Sequence, residues 1–572
     1  MASSLLVVLT VVLVITGCAP PPAAPVSAPG PAALRTAIDA NRQLVLAIGR
    51  GPETLGSLPL RQISGPANPF TAVRVFNAGL AINDEREVPR PYLAEALPAL
   101  NTDTWRVFPD GRMETTYRLK PNLTWHDGAP LTADDFAFAY RVYASPELGR
   151  AASPPIAQIE EVRAPDARTV VVAWRQPFAD ADDLQATGLP PLPRHLLEVP
   201  FQRRDADAFV AHPFWTTEYV GLGPYRLTGW ELGTSMEGEA FAGHALGRPK
   251  IARVRLIFMT DPNAALANLL AGNAHLAVDN ALQTQQAVVL DREWGDRGTG
   301  VVLRSPNAVR GAHFQLRPEF ANPRIMLDVR ARRAIAHAID RQSLADTVTE
   351  GKGTTADTYV VPNAEFYAEA ARVITTFPYD LRRTEQLLGE VGYTKGADGF
   401  YAHPADGKLN LEVAVTDANP TEATIMVDQL RRAGVDSTLR VIPRAQTSEP
   451  MIFSNYTGIL NGQFTGAFAP PLTRFRASEL QRPENRFLGA NFPGYNSPEF
   501  ERLVAAYEAS LDRAERNRLA VQMLKLTSED VPAFPLLYFI ALTVHTSDLR
   551  GPLIAVSTAA APWNIHEWEW IR

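Results

Sequence analysis

Cysteine is almost absent from this chain, and so are long runs of basic residues. The 572 residues include one cysteine, Cys18, which excludes an internal disulfide and any metal site built from several cysteines. Such scarcity is compatible with an oxidising compartment. The formal net charge is −7, and the absence of a long Lys/Arg stretch argues against nucleic acid or anionic lipid as the main partner.

Long hydrophobic runs are also missing, apart from one at the N-terminus. The run from Leu5 to Ile15 is shorter than the about 20 apolar residues that span a bilayer, but it suits the core of a signal peptide. The letters ITGC follow, ending at Cys18, and resemble the bacterial lipobox, although no Lys or Arg precedes the run. The sequence therefore predicts a signal peptide over 1–17 and lipidation of Cys18. The alternative is a signal peptide or N-terminal anchor with an incidental cysteine.

The segment 18–40 is rich in proline and carries few residues that could build a core. Its sequence APPPAAPVSAPGPAAL predicts a stiff, extended conformation. At about 3.1 Å per residue, it would hold a following domain roughly 40 to 50 Å from the lipid. We interpret it as a tether between a lipidated Cys18 and the folded part of the chain.

The sequence contains no motif of a catalytic or cofactor site. The C-terminal HEWEW lacks the second His of HExxH, and neither G-x-S-x-G nor the nucleotide-binding G-x-x-x-x-G-K-[ST] and G-x-G-x-x-G occurs. The GLGPY segment that begins at Gly221 contains G-x-G, but a proline follows at once, so we expect no phosphate loop. These absences favour a binding protein over an enzyme, with no cofactor and no metal.

Alternating strands and amphipathic helices predict an α/β fold. The clearest unit is Leu409 to Ile442, where LNLEVAVT alternates apolar residues, TEATIMVDQLRRAG has helical periodicity, and VDSTLRVI alternates again. A strand, a helix and a strand in so short a span form a βαβ unit with parallel strands. At 572 residues, the chain also exceeds what one hydrophobic core usually serves, so we expect at least two lobes.

The stretch Thr124 to Tyr140, TWHDGAPLTADDFAFAY, has the residue types of an active site. However, Thr132 and Asp135 match the capping box that opens a helix, and the Asp127-Gly128 pair predicts a turn. Asp134 and Asp135 fall in the first helical turn, where the helix dipole favours negative charge. We therefore predict structural roles for Trp125, His126 and Asp127.

Several segments, in order along the chain, resemble the extracytoplasmic solute-binding proteins of ABC importers, in particular the oligopeptide- and dipeptide-binding type (family 5). They are YRLKPNLTWHDGAPLTADDFAFAYRVY, GLGPYRLTGWELG, RPKIARVRLIFMTDPNAALANLLAGNAHLA, DVRARRAIAHAIDRQSL, YDLRRTEQLLGEVGY and the segment from FPGYNSPEF to VPAFPLLY. The resemblance extends from about Leu44 to about Arg550.

This resemblance implies a two-lobed, periplasmic-binding-protein-like α/β fold with an extra subdomain in lobe 1, hinged by crossover strands. We expect lobe 1 at 41–305, lobe 2 at 306–535, and a segment at 536–572 that completes lobe 1. The implied function is to bind a peptide or another small solute between the lobes, as a monomer, and to deliver it to an ABC permease. The implied location is extracytoplasmic, with the membrane reached through the lipid anchor.

The segment that should hold the amino terminus of a peptide departs from the family pattern. Peptide-binding members resemble one another in placing an Asp there, but Pro450 to Ser478 contains no Asp or Glu. Because burying an ammonium group without a carboxylate is costly, we predict that a free amino terminus is not obligatory. The predicted ligand-binding residues of this segment are Asn461, Gln463, Phe464, Phe468 and Arg474. The alternatives are that the segment packs away from the cleft, or that an acid from elsewhere supplies the charge.

Two further ligand-binding residues are expected from the resemblance. They are Asn77, in VFNAGL, and Tyr359, in GTTADTYVVP. Core or surface packing is the alternative role for both. At the level of the whole protein, the alternatives are a sensory or protein-docking lipoprotein on the same fold and an extracytoplasmic hydrolase.

Overall fold

A computed structural model describes most of the chain from residue 42 onwards. The described residues are 42–56, 60, 70–148, 155–186, 188–295, 297–362, 364–416, 420–443, 446, 449–465, 472–485, 487, 489–554 and 562–571. The predicted signal peptide, tether, Cys18 and Phe468 lie outside them, and the side chains of Gln463 and Phe464 are not described. Among these residues, none of the helices has the length and apolar character needed to cross a membrane.

The helices of the described residues alternate with strands, or with one another, along the chain. They are α1 (Phe70–Phe76), α2 (Ala133–Tyr143), α3 (Arg194–Gln202), α4 (Ala206–Val210), α5 (Pro262–Leu270), α6 (Thr284–Gly295), α7 (Val329–His337), α8 (Arg341–Val348), α9 (Tyr367–Val373), α10 (Leu381–Glu390), α11 (Pro420–Ala433), α12 (Pro498–Ala509) and α13 (Arg513–Asp530).

The strands form one large sheet and several small ones. They are β1 (Gln43–Ile48), β2 (Ala81–Asn83), β3 (Pro89–Pro91), β4 (Trp105–Val107), β5 (Met113–Arg118), β6 (Ile159–Asp166), β7 (Thr169–Trp174), β8 (Tyr225–Glu231), β9 (Ser235–Ala240), β10 (Arg253–Phe258), β11 (Leu276–Val278), β12 (Gly300–Phe314), β13 (Thr394–Lys395), β14 (Tyr401–His403), β15 (Gly407–Lys408), β16 (Asn410–Thr416), β17 (Asp436–Ile442), β18 (Ile459–Thr465), β19 (Ala533–Thr546), β20 (Leu549–Arg550) and β21 (Glu569–Trp570). The large sheet has the order β17-β16-β18-β12-β19-β11-β1-β10-β9-β8.

Two long antiparallel strands, β12 and β19, run through the centre of the large sheet. Near its end β19 pairs with β11, whereas β12 from Ala308 onwards pairs with β18. The pairing of β12 with β19 shifts register between Pro306 and Ala308. We call the part of the protein on the β11, β1, β10, β9 and β8 side the first half, and the part on the β18, β16 and β17 side the second half.

The predicted βαβ unit is confirmed in the second half. β16 and β17 pair in parallel along their whole length, and α11 connects them. The alternating residues Leu411, Val413 and Val415 are fully buried in a core that also contains Met426 and Leu430 of α11. Gly434 follows the helix with φ 101°, in the left-handed region that favours glycine.

The predicted helix start after Thr124 is confirmed as well. The Asp135 carboxylate accepts a hydrogen bond of 2.9 Å from the Thr132 backbone N–H, which completes a capping box at the start of α2. Trp125 is buried in the core, and Asp127 accepts from His195 Nε2 at 2.7 Å. This part of the chain packs beside the four-stranded sheet β4-β5-β7-β6, as a subdomain of the first half.

Each half has hydrophobic cores of its own. In the first half, Leu44, Leu46 and Ile48 of β1 belong to a core that extends into the four-stranded subdomain. In the second half, Ala312 and Phe314 of β12 belong to the core beneath α11. Separate cores on either side of β12 and β19 leave these two strands as the continuous link between the halves.

Candidate functional site

Parallel strands end at the same edge of the second half, which is where open α/β sheets bind ligands. β18 pairs in parallel with β16, and α11 starts shortly after β16. The side chains placed at this edge come from β18, from the first turn of α11 and from β12. A ligand site in the second half is therefore expected at this edge.

A buried ion pair lies at this edge. Arg310 Nη2 is 2.9 Å from Glu422 Oε2, and Arg310 Nε donates to both carboxylate oxygens at 3.1 and 3.0 Å. Asn461 Nδ2 donates to Glu422 Oε2 at 3.1 Å, while Asn461 Oδ1 is buried without a hydrogen-bond partner among the described residues. Glu422 is therefore an acid near the predicted site, but Arg310 already neutralises it.

The structure separates Asn461 from Arg474. Arg310 and His313 are three positions apart on β12, so their side chains point to opposite faces of the sheet. Asn461 lies on the Arg310 face, whereas the Arg474 guanidinium carbon is 5.7 Å from the ring centre of Phe492, whose ring also contacts His313. Burial lowers the pKa of Arg474 to about 10, so Arg474 keeps its positive charge at neutral pH.

Tyr359 is packed inside the second half. It is buried, its O–H donates to the Ala533 backbone carbonyl, and its ring meets that of Phe475 edge-on at 5.3 Å. Burial raises the pKa of Tyr359 far above its ordinary value. The hydroxyl already has a protein partner, so contact with a solute through Tyr359 stays a prediction.

In the first half, the parallel strands β1, β10 and β11 also end at one edge. Asp279 follows β11 there, and its Oδ2 accepts from the Thr71 backbone N–H at 3.1 Å. Burial raises the pKa of Asp279 to about 6. Its backbone carbonyl accepts from Gly49 N–H at 3.1 Å, so Asp279 joins the end of β1 to the start of α1.

Asn77 lies directly after α1 and is buried. Its Nδ2 donates to the Leu55 carbonyl at 3.0 Å, and its Oδ1 accepts from the Tyr219 hydroxyl. It also lines a cavity of about 210 Å³ between α1, the β2–β3 hairpin and the segment around Gln185. The side chain is thus held in place by the protein, next to an open space.

The GLGPY segment packs so closely against the end of α1, beside Asn77, that only glycine fits at two of its positions. A Cβ on Gly223 would lie 2.5 Å from the Asn77 backbone nitrogen, and a Cβ on Gly221 would lie 2.1 Å from the Phe76 carbonyl oxygen. His126 fixes this segment, because its Nδ1 accepts from Gly221 N–H at 3.2 Å and its Nε2 donates to the Gly223 carbonyl at 3.0 Å. The G-x-G pattern therefore allows close backbone packing.

Sequence reasoning did not find Arg310 or Glu422. The two residues are 112 positions apart, and each taken alone is an ordinary residue of a strand or of a first helical turn. Predicting their pairing requires knowledge of how β12 and α11 pack together. For Gln463 and Phe464 the structure gives only the backbone register, opposite Arg310 and Val309.

Metal-ligating side chains do not cluster in the described part of the chain. No group of three or more His, Cys, Asp or Glu side chains in the described ranges could hold a metal ion. What the two sheet edges offer is a set of hydrogen-bonding and charged side chains on either side of two crossover strands.

Residues 95–482 match the family described as bacterial extracellular solute-binding proteins, family 5 middle region, and the chain belongs to this family. The oligopeptide-binding protein AppA of Bacillus subtilis is 22% identical over 441 residues, which cover 75% of this chain and 76% of that protein.

Solved structures share the fold at lower identity. The oligopeptide-binding protein of Thermus thermophilus, complexed with a pentapeptide, has a TM-score of 0.69 and 21% identity, and the match covers 92% of this chain and 96% of that one. NikA of Brucella suis, in complex with Fe(III)-EDTA, has a TM-score of 0.74 and 17% identity, with 93% and 100% covered. The fold is thus the two-lobed one predicted. From here on, the names lobe 1 and lobe 2 are used for the first half and the second half.

Proposed function

We propose that this chain is the lipid-anchored substrate-binding component of an ABC importer. It binds a peptide or another small solute between its lobes and delivers it to a membrane permease. Membership of a solute-binding family and the two sheet edges beside shared crossover strands support this function. The relative from Bacillus subtilis is an oligopeptide-binding protein, which supports a peptide as one candidate solute.

The proposed lobe boundaries are 41–305 for lobe 1, 306–535 for lobe 2 and 536–572 for the segment that completes lobe 1. The register shift of β12 between Pro306 and Ala308 supports a boundary there, because an irregular ladder bends more easily than a regular one. A solute that touches both lobes favours the closed state only by its differential affinity. About 5.5 kcal/mol is needed to turn a mostly open population into a mostly closed one.

The proposed anchor is a lipidated Cys18 that follows a signal peptide over 1–17. The Pro-rich tether over 18–40 keeps the binding protein near its permease, which raises the effective concentration of each for the other. The protein works outside the cytoplasm as a monomer. It is a binder and not an enzyme, as the absence of catalytic motifs in the sequence supports.

The proposed solute does not need a free amino terminus. Pro450 to Ser478 contains no acid, and the nearby Glu422 is paired with Arg310, so lobe 2 has no spare carboxylate in this segment. Asn77, Tyr359, Asn461, Gln463, Phe464, Phe468 and Arg474 are the candidate ligand-binding residues. The ligands bound by the two structural relatives, a pentapeptide and Fe(III)-EDTA, support a cleft that accepts chemically different solutes.

Mass spectrometry of solutes that co-purify with the full chain tests this function first. We expect a small solute that, added back to emptied protein, makes the particle more compact in X-ray scattering. Calorimetry with Ala-Ala-Ala and its N-acetylated form then tests whether a free amino terminus is required. We expect the two peptides to bind with similar affinities. A scattering profile unchanged across a broad peptide and metabolite library, together with catalytic consumption of one compound, would contradict the proposal.

A further inference from the structure

The cavity beside Asn77 is lined by charges that balance. It lies in lobe 1 and has a volume of about 210 Å³, and the charged side chains of its described lining are Arg74 and Glu87, one cation and one carboxylate. Burial lowers the pKa of Arg74 to about 10, so its guanidinium stays charged at neutral pH. The described lining thus carries no excess charge that would attract an ion of either sign.

The space is large enough for a group of several atoms. A cavity of about 150 Å³ can hold benzene, and a single water molecule needs roughly 10–15 Å³. Small-molecule sites fix the orientation of a ligand through a few well-placed polar groups. The polar groups of the lining therefore decide which kind of ligand group fits.

Three carboxamide side chains, those of Asn77, Asn83 and Gln185, line the cavity. Asn77 is held by hydrogen bonds to the Leu55 carbonyl and the Tyr219 hydroxyl. A carboxamide is uncharged and both donates and accepts hydrogen bonds. These side chains therefore form a wall that suits an uncharged polar group.

Asp183 is not part of the described lining, but it holds two of the amides in place. Its Oδ2 accepts from Gln185 Nε2 at 2.9 Å and from Asn83 Nδ2 at 3.4 Å. Gln185 Oε1 accepts from the Arg74 guanidinium at 3.2 Å, so both ends of the Gln185 amide are occupied. Asp183 thus orients the wall of the cavity through the N–H groups of these amides.

Asn83 keeps one acceptor open. Its Nδ2 donates to Asp183, while its Oδ1 is buried and has no hydrogen-bond partner among the described residues. Because an unpaired buried acceptor is costly, the wall favours a ligand group that donates an N–H or O–H. An ammonium or a carboxylate would lose its hydration here without an excess of opposite charge, which is costly as well. An uncharged donor therefore fits this cavity best.

The edge of lobe 2 has a similar open acceptor. Arg310 and Glu422 neutralise each other, and the Asn461 amide is oriented by its hydrogen bond of 3.1 Å to Glu422. Asn461 Oδ1 is buried without a partner in the part of the chain that the structure describes. Each lobe therefore combines balanced charges with a carboxamide oxygen that lacks a donor.

The wall of the cavity belongs to a segment that reaches lobe 2. Gln185 closely follows Asp180, which forms an ion pair of 2.8 Å with Arg516 at the start of α13. Asn77, on the same cavity, is also a candidate ligand-binding residue. These positions favour the cavity as a subsite for a solute held between the lobes.

We infer that the cavity beside Asn77 binds an uncharged group of the solute that donates hydrogen bonds, a carboxamide or a hydroxyl-bearing group, with Asn83 Oδ1 as the acceptor. The inference rests on the proposed function for the identity of the whole solute, but the subsite can be tested by itself. It deepens the proposal that the solute needs no free amino terminus, because it assigns an uncharged group to this position.

The direct test compares small probes that share a four-carbon chain. Succinamide and erythritol are uncharged, whereas succinate and putrescine are charged at pH 7. We expect an uncharged probe to bind at least about tenfold more tightly than either ion, since neither ion finds an excess counter-charge. Tighter binding of succinamide indicates an amide in the solute, and tighter binding of erythritol indicates hydroxyls. Calorimetry and the rise in melting temperature measure binding, at equal ionic strength.

Matched variants locate the site. Asn83→Leu removes the open acceptor and should weaken binding of the uncharged probes about tenfold. Ala186→Leu places a larger side chain in the lining and should weaken it as well. Asn410→Leu changes an exposed asparagine at the start of β16 and should change nothing.

The outcome does not depend on a single variant. If Asn83→Leu fails to fold, Ala186→Leu and the comparison of the probes on the wild-type protein still decide. The inference would be overturned by an ion that binds as tightly as the uncharged probes, by the failure of both uncharged probes to bind, or by full binding to folded Asn83→Leu.

A second experiment separates this inference from the proposed function. N-acetylated Ala-Gln-Ala and N-acetylated Ala-Glu-Ala share a blocked amino terminus and differ in one side-chain charge. We expect the glutamine peptide to bind more tightly, and Asn83→Leu to remove the difference. If both peptides close the lobes equally well, the subsite fails and the proposed function stands. If succinamide or erythritol binds at Asn83 but no peptide or metabolite closes the lobes, the proposed function fails and the subsite stands.

Discussion

The two lobes treat their buried charges in opposite ways. In lobe 2, Glu422 meets Arg310 and Asn461 within 3.1 Å, so the protein itself neutralises the carboxylate. In lobe 1, Asp183 accepts hydrogen bonds from two neutral amides, and one of its oxygens lacks a donor among the described residues. The presence of an acid close to a cleft therefore does not by itself indicate that its carboxylate is available to a ligand, because the hydrogen-bond and ion-pair partners of that acid decide this.

Buried histidines are a second kind of buried titratable side chain in this protein. His126 and His244 in lobe 1 are buried, and burial is the main cause that lowers their pKa values, to about 4 and about 3. Burial keeps both rings neutral, although each ring also has a backbone carbonyl as a hydrogen-bond partner, which by itself favours the protonated form. Acid can charge both rings, and His313 of lobe 2, whose pKa burial also lowers well below its ordinary value, is a further buried ring of this kind.

The largest expected effect comes from breaking the lobe 2 pair. Glu422→Ala should lower the free energy of unfolding by about 3–5 kcal/mol, because Arg310 is left buried without its counter-charge. Chemical denaturation measured by circular dichroism gives the value. The double variant Arg310→Met/Glu422→Leu should recover most of the loss, since two apolar side chains of similar size leave no buried charge.

The control for this experiment lies on the same helix. Asp428 and Arg432 of α11 form an exposed ion pair, so Asp428→Ala should cost less than about 1 kcal/mol. A loss from Glu422→Ala no greater than the loss from Asp428→Ala would show that the buried pair is not what distinguishes lobe 2.

Acid should destabilise lobe 1 through its histidines. The folded pKa values of His126 and His244 lie below the about 6.5 of an unfolded histidine, so the unfolded state binds protons first as the pH falls. The stability that the neutral rings provide is complete above about pH 6.5 and falls between pH 6.5 and about 4. We expect about 2–3 kcal/mol of loss from the two groups together by about pH 5.5, measured by urea unfolding across this range.

Substitution tests the cause of that slope. His126→Gln and His244→Gln should lower stability at pH 8 but flatten its fall below pH 6.5, because a glutamine cannot take up a proton. Phe241→Leu is the matched control, since it removes the ring that meets His126 edge-on at 4.8 Å and leaves both histidines titratable. An unchanged slope in the two histidine variants would contradict this explanation.

Local patterns predicted much of the fold. Alternating apolar residues predicted β16 and β17, and the capping box at Thr132 and Asp135 predicted the start of α2. Such signals depend on residues that are neighbours in sequence. Their physical causes are also local: the pleat of a strand sets which side chains alternate, and the unpaired N–H groups of the first helical turn favour a capping residue. The family resemblance supplied the two-lobed arrangement that these local signals alone could not.

The candidate site was much harder to predict, because its contacts join distant residues. The cavity of lobe 1 combines residues near positions 74, 83 and 185, and the pair of lobe 2 is 112 positions apart. Local sequence periodicity does not predict contacts between residues so far apart in the chain. Asn461 and Arg474 were predicted together from one segment, yet Asn461 contacts Glu422 on the Arg310 face of the sheet, whereas Arg474 lies near Phe492 on the His313 face.

The smallest expected effect concerns the contact between the lobes. With the proposed boundaries, Asp180 belongs to lobe 1 and Arg516 to lobe 2, and Leu511 of lobe 2 packs against the core of lobe 1. Asp180 is half-exposed, so the ion pair contributes about 0.5–1 kcal/mol to the closed state. Asp180→Asn should therefore reduce the closed fraction of the empty protein about two- to fivefold, measured by energy transfer between dyes placed on the two lobes.

Glu365→Gln breaks the Arg513 pair within lobe 2 and should leave that fraction unchanged. If Asp180→Asn closes the lobes instead, the carboxylates of lobe 1 repel one another more than they attract lobe 2, and the acidic segment acts to hold the empty cleft open.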